Sequence, residues 1–406
     1  MYFRRFLLEK AKKLCYNDRT TITIVSNERN IAMKEKEIAQ IRRRYRSDKS
    51  NISRICGCYV NSKKEIISEF DQSLGMMSED DANGMLGLLK KTLSGHIGTN
   101  LLEIEFSTHQ VSQSEEYSLL SKLKATELKD TEARAELYKK IIENLEFEGS
   151  YLILLAHDNY DVFDIGADGM KSEESTTVYS YVICAVCPVK EGKASMSYYF
   201  PEKCFRTVCA DTVLSRPEIG FVFPVLEDGL TNIYKAAYYT KNLENNYSEL
   251  VNALFAKEAP MPAKEQKQTF GEVLEQTVGE ECSLNLVSSI HAQINEIIEE
   301  NKAEKEEELP FINKDDAAQM LRFCGVSEDK IEAFEKGFDE SFGENAEIPS
   351  SNLAGTKQLQ IETPEVSVKV SGGCSNVVQS RVIDGVKYIL IRADNDVTVN
   401  GVSVKI

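Results

Sequence analysis

At 406 residues and 42% hydrophobic content, the chain is long enough to bury one large core or two to three domains, which excludes the small scaffolds that depend on disulfide or metal staples. Its 48 Lys and Arg stand against 65 Asp and Glu, a net charge of −17, so a broad basic surface for nucleic acid is excluded and phosphate contact would need a local patch. No apolar run approaches the ~18 residues of a membrane span, and ten scattered cysteines point to reduced thiols in a cytoplasmic protein without membrane association.

Residues 1–32 stand apart. They hold seven basic and three acidic residues, which leaves a net −21 from Met33 onward. Phe3, Phe6, Leu7 and Leu8 among Arg4, Arg5 and Lys10 would suit a short amphipathic surface helix, but Glu9 interrupts the apolar core a secretory signal requires. The preferred expectation is that Met33 is the biological start and that 1–32 is a leader read from an upstream start.

From 33 to 111 a short basic helix leads into a hairpin, 55–60 and 65–70, across the polar turn Asn61–Ser62–Lys63–Lys64. Ser78, with Asp81 three residues on, caps a helix to about residue 93, and a strand is expected over 101–106. The second region, 112–262, carries helices over 115–124 and 131–145 and strands over 151–156, 178–189, 195–199 and 221–226. The long strands are continuously apolar, so both of their faces should be covered.

Region 263–355 reads as helical. Leu286, Val287, Ile290, Ile294, Ile297 and Ile298 form a stripe of about two heptads, better suited to packing on its own core than to a coiled coil. Asn313 caps the next helix and Gly325 stops it, and Ile331, Phe334, Phe338 and Phe342 line one face of its successor. From 356 to 406 the period becomes alternating, with hairpin turns at Asp384–Gly385 and Asn400–Gly401, as in a small C-terminal β domain. The expected class is α+β, a mixed-sheet core with flanking helices, a helical segment and that β domain.

Met33–Ile52 with its run Ile41–Arg42–Arg43–Arg44–Tyr45–Arg46, Gly57–Cys58–Tyr59–Val60–Asn61, Glu65–Ile66–Ile67–Ser68, the stretch from Tyr151 to Asp158, Tyr181 to Lys190 and Arg381 to Ile391 together resemble a bacterial family known as domain of unknown function 4317. The resemblance spans about Met33 to Ile406. Cys56 stands where that pattern leads one to expect Arg. The family name implies an extent and a class, and no catalytic residues.

Candidate chemistry is sparse. Cys184–Ala185–Val186–Cys187 has the spacing of half a zinc site, with Cys56 and Cys58 or Cys204 and Cys209 as partners, but strand alternation turns residues three apart to opposite faces and favours buried structural thiols. His157–Asp158 ends an apolar strand, where an acid or base often sits, yet no nucleophile motif accompanies it. Asp164–Ile165–Gly166–Ala167–Asp168–Gly169 fails as a calcium loop because Ser175 occupies the position of the closing carboxylate. Phosphate-loop, dinucleotide and His–Glu–x–x–His signatures are missing from the sequence, which gives no reason to expect a cofactor. The remaining constellation is basic: Arg42, Arg43, Arg44, Arg46, Lys49 and Arg54, with Lys34 and Lys36 before them. Those side chains suit phosphate or a partner, or else they dock on the acidic body. The leading expectation is a non-enzymatic binding or scaffold protein whose partner the sequence does not identify, a protein being one candidate. Nucleic-acid or nucleotide binding through the arginines, and an enzyme using His157 with nearby carboxylates, are the alternatives.

Overall fold

The computed structural model describes residues 35–162, 177–190, 195–199, 201–208, 213–304, 310–354, 359–363, 365–370, 377–393, 397–399 and 402–404. The expectations for 1–34, for the acidic loop from Asp164 to Ser175 and for Cys209 lie outside the described residues.

Helix α1 (Glu35–Arg42) buries Ile38 and Ile41 and leads to the hairpin β1 (Arg54–Val60) and β2 (Ile66–Ser73). The Asn61 side-chain oxygen Oδ1 accepts the backbone N–H groups of Lys63 and Glu65, which fixes the turn between the two strands. Helix α2 (Glu79–Lys91) starts at Ser78, whose hydroxyl accepts from the Asp81 N–H, and three acidic residues in its first turn complement the helix dipole. Strand β3 (Leu101–Glu105) precedes α3 (Thr108–Gln113), α4 (Glu115–Ala125) and α5 (Thr131–Asn144).

The longest apolar runs then become the longest strands, β4 (Ser150–Val162) and β5 (Thr177–Lys190). They are followed by β6 (Ser195–Tyr199), β7 (Cys204–Val208), β8 (Val213–Leu214), β9 (Ile219–Phe223), β10 (Val225–Glu227), β11 (Leu230–Asn232) and β12 (Lys235–Thr240). The single strand expected over 221–226 is thus two, divided at Pro224, which has no N–H to continue a ladder. The main sheet runs β2-β1-β4-β5-β9-β12-β3, with β8 also paired to β5, so it draws strands from both sides of residue 111.

Every ladder between named strands is antiparallel, which corrects the expectation of a mixed sheet. The continuous apolar runs report cover on both faces, not strand direction. On one face α3, α4, α5 and a further helix α6 (Ser248–Phe255) pack over Ile153, Leu155, Phe221 and Tyr238. On the other, α1 and α2 pack over Leu154, Ala156, Tyr181 and Ile183. Each fully buried large apolar side chain contributes roughly 1.5–3 kcal/mol, so these two layers carry most of the sheet's stability.

A third core is helical. It is formed by α7 (Ala263–Val278), α8 (Leu284–Glu304), β13 (Phe311–Ile312), α9 (Lys314–Phe323), α10 (Glu328–Phe342), β14 (Ile348–Pro349) and α11 (Ser350–Leu353). Leu286, Ile290 and Ile294 of the apolar stripe are buried in it. Asn313 forms a capping box with Asp316 at the start of α9. Asn352 ties this module to the loop before β3, donating to the Gly98 carbonyl at 2.8 Å and accepting from Thr99 Oγ1 at 2.6 Å. The chain ends in three hairpins, β15 (Leu359–Glu362) with β16 (Ser367–Val370), β17 (Val378–Ile383) with β18 (Val386–Ile391), and β19 (Val397–Val399) with β20 (Val402–Val404). Asp384 and Gly385 both have positive φ, as the two-residue turn between β17 and β18 requires.

Candidate functional site

A polar cleft of about 260 Å³ opens beside the edge of the sheet that carries β1 and β2. Its lining comes from four places: Ser53, Arg54 and Cys56 at the start of β1, Asp71 on β2, His157 on β4, and Glu127, Leu128, Lys129, Thr131 and Arg134 from the α4–α5 connection and the first turn of α5. The connection is unusual, since Glu127 and Leu128 are consecutive non-glycine residues at φ 53° and 62°. Left-handed backbone costs an L-residue about 1–2 kcal/mol. Here it lets Leu128 enter the core while Glu127 and Lys129, paired at 2.6 Å, flank the cleft.

Asp71 organises the basic groups. Its carboxylate accepts from Arg54 Nε at 2.7 Å and from Arg134 Nη1 at 2.8 Å. Burial alone would raise its pKa, but the two guanidiniums outweigh that and hold it below the usual carboxylate range. Arg134 Nη1 also donates to Cys56 Sγ at 2.9 Å. Burial nonetheless pushes the Cys56 thiol up, against the opposing pull of Arg134, so it remains a thiol at neutral pH. His157 Nε2 lies 2.9 Å from Ser180 Oγ, and burial lowers its pKa, with Glu127 opposing and Lys129 and Lys124 adding to the shift. The cleft therefore offers guanidinium, ammonium and imidazole groups together with two carboxylates, Asp71 engaged by Arg54 and Arg134 and Glu127 engaged by Lys129.

Asp158 faces the other way. It is 1% exposed, accepts from Tyr181 Oη at 3.0 Å and sits 3.7 Å from Arg44 Nη2. Tyr45 Oη lies 3.1 Å from Tyr181 Oη, Arg44 donates to the Asn159 carbonyl at 3.3 Å, and the Arg44 guanidinium lies 4.4 Å from the centre of the Tyr160 ring. Burial raises the Asp158 pKa, with Arg44 and Tyr181 opposing. This network fixes the segment after α1 to the sheet.

The structure thus redistributes the residues singled out in sequence. His157 and Asp158 open onto opposite faces, and the arginine cluster divides. Arg44 joins Asp158, Arg54 joins the His157 cleft, and Arg46 pairs with the exposed Asp48 at 3.0 Å. Arg42 is half-buried at the end of α1, whereas Arg43 and Lys49 are exposed. Cys184 and Cys187 are buried in the cores on opposite faces of the sheet, and burial pushes the Cys187 thiol up to about 12. Among the described residues no group of three or more His, Cys, Asp or Glu is placed to hold a metal ion. Asp71, Glu127, Lys129 and Arg134 were not singled out in sequence. Arg134 alone left a trace there, as a charged residue three and four positions before the buried Leu137 and Tyr138.

The chain belongs to the family Domain of unknown function (DUF4317), whose model matches residues 33–402. No curated protein matches it. No helix among the described residues is long and apolar enough to cross a membrane.

Proposed function

We propose that the chain is a cytoplasmic, non-enzymatic binding protein whose polar cleft takes a small anionic molecule. The observation that carries this reading is the gathering of Arg54, Lys129, Arg134 and His157 around one opening of about 260 Å³. That volume is near the lower limit of small-molecule sites, and two guanidiniums on a strand and a helix, with the Lys129 ammonium on the connection between α4 and α5, suit an oxyanion. Two features favour binding over catalysis. Cys56 is kept as a thiol by its burial, and Ser180, the hydroxyl that His157 meets at 2.9 Å, is not among the residues that line the cleft. The engagement of Arg44 with Asp158 and of Arg46 with Asp48 favours a small ligand over an extended nucleic acid.

A thermal-shift screen of small anions tests the reading. A ligand present at about 100 times its Kd stabilises the native state by about 2.7 kcal/mol, a shift readily seen. At least one anion is expected to raise the melting temperature, and the shift should vanish in the Arg134→Gln, His157→Gln double variant. A screen without a stabilising anion, or a shift that survives both substitutions, contradicts the proposal.

A further inference from the structure

The two guanidiniums of the cleft already hold an oxyanion, and it is the protein's own. Asp71 sits on β2, the edge strand of the sheet, where its ladder partner is Cys56. One of its oxygens meets Arg54 Nε at 2.7 Å and the other meets Arg134 Nη1 at 2.8 Å. Two guanidiniums converging on one carboxylate is the arrangement by which proteins recognise the carboxylate or phosphate of a ligand. The two arginines differ in freedom. Arg134 is 12% exposed and also holds Cys56, whereas Arg54 is 54% exposed and, among the described residues, its side chain bonds to Asp71 alone. Asp71 itself is 31% exposed and belongs to a strand most of whose residues face solvent, so its side chain has room to swing outward.

Resting on the anion-binding reading above, we propose that Asp71 is an internal stand-in for the ligand's anionic group, and that the preferred ligand is a small phosphorylated molecule that displaces it. The preference for phosphate follows from what displacement requires. A monocarboxylate brings the arginines only what Asp71 supplies without loss of translational freedom. A phosphate monoester brings up to two negative charges and three acceptor oxygens, enough to engage Arg54, Arg134 and a third donor such as Lys129 or His157 at once. The room in the cleft exceeds what the phosphate group fills and leaves space for a small organic body. Asp71 then sets a threshold, admitting the more highly charged anion and turning away the common carboxylates.

Calorimetric titration with inorganic phosphate, and with acetate as the monocarboxylate control, tests this on the full chain at constant ionic strength. Asp71→Asn is expected to bind phosphate about tenfold or more tightly than the native protein, the scale of one charge-assisted hydrogen bond returned to the ligand. Adding Arg134→Gln to Asp71→Asn should abolish the gain. Arg54→Gln, a change at an exposed side chain, should weaken phosphate binding on its own and supplies a second reading if Asp71→Asn folds poorly. Acetate should bind the native protein less tightly than phosphate. Unchanged or weaker phosphate binding in Asp71→Asn, or unchanged binding in Arg54→Gln, would overturn the stand-in role while native binding keeps the anion site. Absence of phosphate binding in the native protein and in Asp71→Asn alike would overturn both.

Discussion

His157 and Asp158 are neighbours in the chain and lie on opposite faces of the sheet, His157 in the polar cleft with Cys56 and Asp158 under the segment that follows α1 with Tyr181. The alternation of β4 therefore splits one sequence motif into two sites with different work. One is open to solvent and lined by basic groups. The other is closed and holds the N-terminal part of the described chain in place.

The closed site predicts unequal roles for the arginines. Arg44→Gln leaves the Asp158 carboxylate buried without its cation and removes the contact with Tyr160, so it should lower stability by about 1–3 kcal/mol. Arg43→Gln and Arg46→Gln, at exposed positions, should each stay within about 0.5 kcal/mol of the native protein. Urea melts of the three variants check this, and equal losses across the set would count against the docking role of Arg44.

Close backbone approach makes a second prediction. A Cβ added at Gly220 on β9 would lie 2.4 Å from the Cys184 carbonyl oxygen and 2.5 Å from Thr92 Cγ2. Neither β5 nor α2 can retreat without opening the core between them, so Gly220→Ala should cost about 1–3 kcal/mol or more. A thermal melt close to that of the native protein would show that the sheet and α2 are packed less tightly than described.

Asp71 gives a pH dependence with a definite sign. Its folded pKa is depressed because Arg54 and Arg134 outweigh the effect of burial, so its stabilising contribution is complete above the unfolded carboxylate value of about 3.9 and is lost as pH falls through the lower folded value. The stability difference between the native protein and Asp71→Asn should be level from neutral pH to about 4.5 and close on further acidification. A difference that grew on acidification would have the wrong sign for a carboxylate held by guanidiniums.

What the sequence made legible was local. The turn at Asn61, the cap at Ser78, the capping box at Asn313 and the paired faces of β4 and β5 all arise from residues a few positions apart. Strand direction was not legible, because an apolar run is the same whichever way its neighbour travels. Nor was the cleft. The contact between Arg134 and Asp71 spans 63 positions and that between Arg134 and Cys56 spans 78, and each exists only once α5 has been laid over the sheet. In the arginine cluster, nothing local marks Arg44 as the one that reaches inward, since Asp158 arrives from a strand far along the chain.

The imidazole of His157 reports on the cleft most directly. Burial holds its pKa below the ordinary value of about 6.5, with Glu127 opposing and Lys129 and Lys124 adding to the shift, and it should titrate below that value by nuclear magnetic resonance in the ligand-free protein. An anion seated beside it favours the imidazolium, so saturating inorganic phosphate, compared with chloride at the same ionic strength, should move that titration upward and shift the His157 ring signals. A titration unmoved by phosphate, with ring signals unchanged, would contradict the account of the cleft as an anion site.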